Sequence, residues 1–205
     1  MTVEPGVRMG QDSDASVIER SWDEPEAFAV LFDRHADSVH RYAARRLGAE
    51  AAEDVMAETF TTAFQQRFRY NTVLADARPW LFGIATNLIG RHRRAEARRL
   101  KALGRLPSAA PGDQAEETVA DRVAARVSAQ AVGRQLAGAL GRLPPRHRDV
   151  LLLVAWADLG YEEVARALGV PVGTVRSRLH RARRKVREAL GGSDPTALRE
   201  ESDDE

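Results

Sequence analysis

Phe28, Leu31, Phe32, His35, Val39 and Tyr42 recur at three- and four-residue steps. That spacing predicts an amphipathic helix ending near Gly48. A second helix, over about residues 50–68, stacks Val55, Met56, Phe60, Ala63, Phe64 and Phe68 and turns Glu50, Glu53, Asp54 and Glu58 the other way. The stretch RYNTVLADAR (residues 69–78) breaks the period and reads as a loop. A third helix starts about Pro79, where the fixed φ of proline suits a first turn. It buries Leu81, Ile84, Ala85, Leu88 and Ile89, then runs on into GRHRRAEARRLKALGR, which is basic and solvated.

LPSAAPGDQAEET (residues 106–118) has the prolines, glycine and small residues of a linker. Fully extended it reaches about 40 Å, enough to hold two small domains apart. Beyond it, Val123, Val127, Ala131 and Leu136 suggest a helix, and LPP at residues 143–145 opens another. Leu151 to Trp156 is apolar nearly all round and belongs at the centre of a small core. YEEVARAL, the turn GVP and GTVRSRLHRARRKVREAL complete this second block. No stretch alternates well enough to mark a strand, so the fold class is all-α: two small helical domains joined by a flexible linker.

In the last of these segments Val175, Leu179, Ala182, Val186 and Leu190 form one apolar stripe. Arg176, Ser177, His180, Arg181 and Arg184 project from the opposite side. Helix, short turn with Gly169, second helix is helix-turn-helix geometry. In that motif the second helix enters the major groove, and arginine can make bidentate contacts to guanine. A solvated face normally mixes signs to limit repulsion. This one carries Arg176, Arg178, Arg181, Arg183, Arg184, Lys185 and Arg187 with no acid before Glu188. DNA binding is the better reading.

Composition makes that reading local. The chain of 205 residues has 31 Lys and Arg against 30 Asp and Glu, so the basic helix is not a property of the whole protein. All basic residues but Lys101 and Lys185 are arginine, whose planar fork suits phosphate and guanine. Absent cysteine excludes disulfides, thiolate metal sites and cysteine nucleophiles, and suits a reducing cytosol. The longest apolar run, VLLLVAWA, is too short to span a bilayer. His35 and His40 lie five apart, where two ligands on one helical face want four, and His35 sits on the apolar stripe as a satisfied core residue. No zinc motif, phosphate-binding glycine loop or esterase elbow occurs, which disfavours catalysis by the chain itself and with it a third reading, a small hydrolase with a helical accessory domain. No cofactor, metal or small-molecule substrate is expected.

LPPRHRDVLLLVAWADLGYEEVARALGVPVGTVRSRLHRARRKVREAL resembles region 4 of a bacterial RNA polymerase sigma factor of the extracytoplasmic-function (ECF) group of the sigma-70 family. FAVLFDRHADSVHRYAARRLG, AEDVMAETFTTAFQQ and ARPWLFGIATNLIGRHRRAEARR resemble its region 2. The resemblance implies a disordered leader over residues 1–21, region 2 over 22–105 and a linker over 106–122. Region 4 follows over 123–192, and an acidic disordered tail over 193–205. It also implies a cytoplasmic, non-enzymatic factor that binds core RNA polymerase through the β′ clamp and β flap and directs transcription initiation at promoter DNA. An anti-sigma factor is a further expected partner.

The positions that match polymerase docking are Asp54, Glu58 and Gln65; the family often has glutamine before the glutamate, where this chain has Ala57. Those that match capture of the minus-ten element as single strand are Tyr70, Asn71, Arg78, Trp80, Asn87, Arg91, Arg93 and Arg94. An extruded base needs hydrogen-bonding groups and an aromatic or apolar wall, which Asn71 and Tyr70 offer. Thr174, Arg176, Ser177, Arg178, His180, Arg181 and Arg184 match the positions that read the minus-thirty-five element as duplex. In the family the linker threads the template cleft, where Asp113, Glu116, Glu117 and Asp121 could mimic nucleic-acid charge. The alternative is a self-sufficient helix-turn-helix regulator with the first block as sensor or dimerisation domain.

Overall fold

The structure is a computed structural model that describes residues 12–102 and 123–191, over residues 123–132 by backbone alone. The expected linker and acidic tail, and the first part of the expected leader, lie outside the described residues. Every regular element among the described residues is helical. The chain divides into two compact units. One holds the described residues up to His92 together with Arg166–Gly169, and the other holds the rest.

The first unit begins earlier than the pattern suggested. Within the segment expected to be a disordered leader, α1 (Asp14–Arg20) is a helix capped by Ser13, whose side chain accepts from the Ser16 amide. It is ordered because Val17 and Ile18 are fully buried. Each such side chain contributes about 1.5–3 kcal/mol toward the cost of ordering the helix. A Ser cap, an acid in the first turn and an apolar pair three residues on are the start signals of a short helix.

A 3-10 turn (Pro25–Phe28) leads into α2 (Ala29–Leu47), which ends at Gly48 with φ 87°, a left-handed exit that glycine makes at no steric cost. Helix α3 (Ala49–Gln66) packs antiparallel-hairpin fashion against α2, and a second 3-10 turn (Arg67–Arg69) follows it. Helix α4 (Arg78–Ala102) supplies Leu81, Phe82, Ala85, Leu88 and Ile89 to the core, which also holds Leu31, Val39, Tyr42, Val55 and Phe60. Tyr42 meets Phe82 edge-on at 5.2 Å. Its hydroxyl shares a 2.9 Å hydrogen bond with Thr86 and accepts one of 2.7 Å from buried Arg46. Ile84, Met56 and Phe64 are only half-buried, and Phe32 and Phe68, expected in the core, stand 41% and 59% exposed. Phe32 stacks edgewise on Phe60, whereas Phe68 lies beyond the end of α3, where the helical period no longer aims it inward.

In the second unit α5 (Val123–Arg142) is followed by α6 (Pro145–Trp156), opened by proline at its first position. Arg148 reaches back to the Gly141 and Leu143 carbonyls and satisfies the open end of α5. Helix α7 (Tyr161–Leu168), which is grouped with the first unit from Arg166 on, has the reverse half of a capping box: the Gly160 amide donates to the Glu163 carboxylate at 2.7 Å. Gly169, at φ 62°, turns the chain into α8 (Val172–Ala189). Val150, Leu152 and Leu153 of α6, Val164 of α7 and Val175, Leu179, Ala182 and Val186 of α8 are buried together with Leu143 and Leu159. The apolar stripe expected on α8 is therefore in place, except that Leu190 falls past the helix end and is half-buried.

Candidate nucleic-acid interface

Helix α8 buries its stripe against α6 and α5, and the Gln135 amide holds its C-terminal Ala189 carbonyl at 2.9 Å. That burial fixes which side faces out. Arg176, Ser177, His180, Arg181 and Arg184 are exposed, and Thr174 and Arg178 are half-exposed. Ser177 donates to the Thr174 carbonyl. Arg184 lies 3.7 Å from Glu188 one turn on, the acid that ends the single-sign run. All residues expected to read duplex thus share one helix and one solvent-facing side.

Behind them sits a group the sequence did not flag. His147, in the first turn of α6, is buried, and its Nδ1 has no hydrogen-bond partner in the protein. Burial lowers its pKa below 6.5, and the charges of Arg146, Lys185, Arg181 and Arg178 lower it further. The basic face is dense enough to discourage one more proton beneath it.

The loop of the first unit is closed by polar contacts, not by packing alone. Tyr70, expected as a wall for an extruded base, is instead buried inside the loop. Its hydroxyl donates to the Leu74 carbonyl at 2.6 Å and reaches that of Asp76 at 3.1 Å, and its ring lies 4.9 Å from that of Trp80. Burial, and then the charges of Asp14 and Asp76, push its pKa up to about 12, so it stays a neutral donor. Tyr70 and Trp80 are the frame of the loop. Asn71 is exposed; its side-chain oxygen accepts from the Val73 amide and its carbonyl accepts from the Leu74 amide, an Asx turn. Val73, at the tip, is 88% exposed, an apolar side chain that sequence reading left unnamed although it lies between turn-forming residues. The Asp76 carboxylate accepts from the Arg78 amide at 2.8 Å and starts α4.

Along α4, Asn87, Arg91 and Arg94 are exposed, and Arg78 and Arg93 are half-exposed. On α3, Asp54, Glu58 and Gln65 are exposed on one side at spacings that keep them in line. The two sets meet: Arg91 donates to Glu58 at 3.1 Å. At the end of α3 Arg67 is buried with its guanidinium over the rings of Phe64 and Phe68, and it donates to the Ser21 and Phe64 carbonyls.

Among the described residues no group of three or more His, Cys, Asp or Glu could hold a metal ion. No helix among them is long and apolar enough to cross a membrane.

Comparison with known proteins adds to this geometry. Residues 31–99 match the family described as Sigma-70 region 2, and residues 133–186 match Sigma-70, region 4. The chain is 36% identical over 176 residues to the ECF RNA polymerase sigma factor SigE of Mycolicibacterium smegmatis, covering 83% of this chain and 62% of that protein. It is 35% identical over 162 residues to SigL of Mycobacterium tuberculosis, covering 78% of this chain and 87% of SigL. Among solved structures, CnrH in complex with the cytosolic domain of CnrY superposes with a TM-score of 0.60 at 26% identity, over 89% of this chain and 99% of CnrH.

Proposed function

Because this chain belongs to the ECF RNA polymerase sigma factors of the sigma-70 family, we propose that it acts as a dissociable, non-enzymatic initiation subunit in the cytoplasm. It binds core RNA polymerase and directs it to promoters with two separated elements. In this reading the exposed line Asp54, Glu58 and Gln65 of α3 docks on the polymerase clamp. The loop carrying Asn71, with Arg78, Asn87, Arg91, Arg93 and Arg94 of α4, captures the melted minus-ten strand; Tyr70 and Trp80 support it from within. The outward face of α8, from Thr174 to Arg184, reads the minus-thirty-five duplex.

The observation that carries the proposal is the α8 face: a one-sign array of arginines, aimed at solvent by a buried stripe, directly after a turn and a short helix. Arginines on a major-groove helix divide between base edges and phosphates, so one face supplies both discrimination and salt-dependent affinity. CnrH is held in its structure by a second protein, CnrY, which supports reading an anti-sigma partner for this chain as well. A self-sufficient regulator would have to bind duplex unaided, commonly as a dimer on a palindrome; this chain is expected to bind weakly without polymerase.

Run-off transcription with purified core enzyme tests the proposal. A promoter-directed transcript that appears only when the chain is added is the expected result. Its absence on the native promoter set, with tight duplex binding by the chain alone, would leave the regulator reading instead.

A further inference from the structure

Asp14, the first residue of α1, lies outside the 31–99 match, and its carboxylate is not used by its own helix. Ser13 caps α1. Asp14 turns instead toward α2 and toward the foot of the loop before α4. Its Oδ1 accepts from Arg34 Nη1 at 3.0 Å. Its Oδ2 lies 2.8 Å from His35 Nε2 and accepts from the Ala77 amide at 3.0 Å. One residue on, the Ala15 amide donates to the Ala75 carbonyl at 3.4 Å. Two consecutive residues of α1 therefore grip two nearby residues of the loop, and Arg34 and His35 hold the gripping carboxylate in one orientation.

The loop is otherwise shaped from inside by Tyr70, whose hydroxyl takes the Leu74 and Asp76 carbonyls. Tyr70 and Asp14 are thus two anchors on the Asp76–Ala77 peptide, one at its carbonyl and one at its amide. A buried carboxylate, 8% exposed, is costly unless it is paired and hydrogen-bonded. Here every bond it makes either fixes its own orientation or reaches the loop. Burial would raise its pKa, but the bonds from His35, Ala77 and Arg34 and the charge of His35 outweigh that and bring it down to about 2. It is a permanent anion at neutral pH.

We infer that Asp14 is a positioning residue for minus-ten recognition: from α1 it sets the backbone of residues 75–77, and through it the place at which the loop offers Asn71 and Val73 to the melted strand. It does not touch DNA. This inference rests on the reading of the loop given above.

The test uses the full chain bound to core polymerase and a set of promoters with single-base changes in the minus-ten element. For Asp14→Asn, the ratio of product from the best element to product from its variants falls about fivefold, the scale of one lost hydrogen bond. Affinity for core enzyme and the response to minus-thirty-five changes stay as in the native chain. Asp14→Ala gives the same pattern more strongly. With Tyr70→Phe the effects on discrimination are coupled, because both residues act on one loop. Unchanged discrimination in Asp14→Asn and Asp14→Ala would overturn the inference. So would parallel losses of discrimination, core affinity and melting temperature, which would make Asp14 a general brace, or strict additivity with Tyr70→Phe. If the native chain itself gives no promoter-directed transcript, it is the sigma-factor reading of this chain that fails, before the role of Asp14 is reached.

Discussion

In the proposed reading the first unit offers the nucleic acid an irregular loop, and the second offers it an unbroken helix. The loop of residues 69–77 is held by side-chain bonds to main-chain groups: Tyr70 to Leu74 and Asp76, Asn71 to Val73, Asp14 to Ala77 and Asp76 to Arg78. The α8 surface is held chiefly by an apolar stripe of Val175, Leu179, Ala182 and Val186, with the Gln135 bond to the Ala189 carbonyl at its end. The difference follows from what each is proposed to bind. An extruded base needs a concave, specific backbone, and non-helical backbone must have its polar groups satisfied one by one. A duplex groove accepts a straight cylinder whose backbone is already satisfied. The first unit should therefore be sensitive to single polar changes, and the second to loss of apolar burial or of charge.

The largest effect is expected from Leu153→Asp. Leu153 is fully buried, and an unpaired carboxylate there costs several kcal/mol, comparable with the whole stability of a small helical unit. Amide protection across residues 145–165 and 170–189 is expected to vanish while that of residues 29–92 persists. Loss of protection in both would show that the units do not fold independently and would remove the comparison.

Acid separates the units in a different order. The lowered pKa of His147 means that the folded second unit binds fewer protons than the unfolded chain. Its contribution is intact above about 6.5 and is lost as pH falls below that value. Asp14 is also depressed, so its contribution is intact above 3.8 and is lost as pH falls toward about 2. Hydrogen exchange followed residue by residue is expected to show the second unit weakening first on acidification. The reverse order would contradict the assigned environments of both groups.

Arg176→Ala tests the helix as a reader. If it meets a base edge, it costs about 1–3 kcal/mol at one base pair and relaxes choice there. Equal losses on every sequence would make it a phosphate contact, visible as a shallower dependence of binding on salt. Tyr70→Phe is its counterpart on the loop, with an expected cost of about 1 kcal/mol in stability from the bonds to Leu74 and Asp76. It leaves the α8 surface and core binding untouched.

How much of this was legible in the sequence differs between the units for the same reason. The α8 face could be read because a 3.6 period fixes which side every residue takes: burying Val175 and Leu179 determines where Arg176 and Arg181 point. The acidic line on α3 was legible on the same ground. The burial of Tyr70 was not legible because a loop has no period, and an aromatic beside Asn71 looks the same whether it faces solvent or turns back to bond Leu74. Asp14 was missed because its partners, Arg34, His35 and Ala77, are distant in the chain, and His35 could be called satisfied without its partner being named. Phe68 was placed in the core by extending a period past the point where α3 ends.

The smallest expected effect concerns the contact between the proposed polymerase-docking and strand-binding sets of the first unit. Arg91 and Glu58 pair at 3.1 Å with side chains 62% and 57% exposed. Solvent screens such a pair, so Arg91→Ala is expected to change stability by less than about 1 kcal/mol. That small cost makes the substitution informative. If Arg91 follows the phosphates of the melted strand, Arg91→Ala lowers affinity for minus-ten single strand similarly across sequences and reduces its salt dependence, while melting temperature hardly moves. Glu58→Gln releases the same arginine without removing it, and is expected to leave strand binding intact or strengthen it. Weaker strand binding in Glu58→Gln would mean that the pair acts as one unit in recognition. The polymerase face of α3 and the DNA face of α4 would then be a single surface.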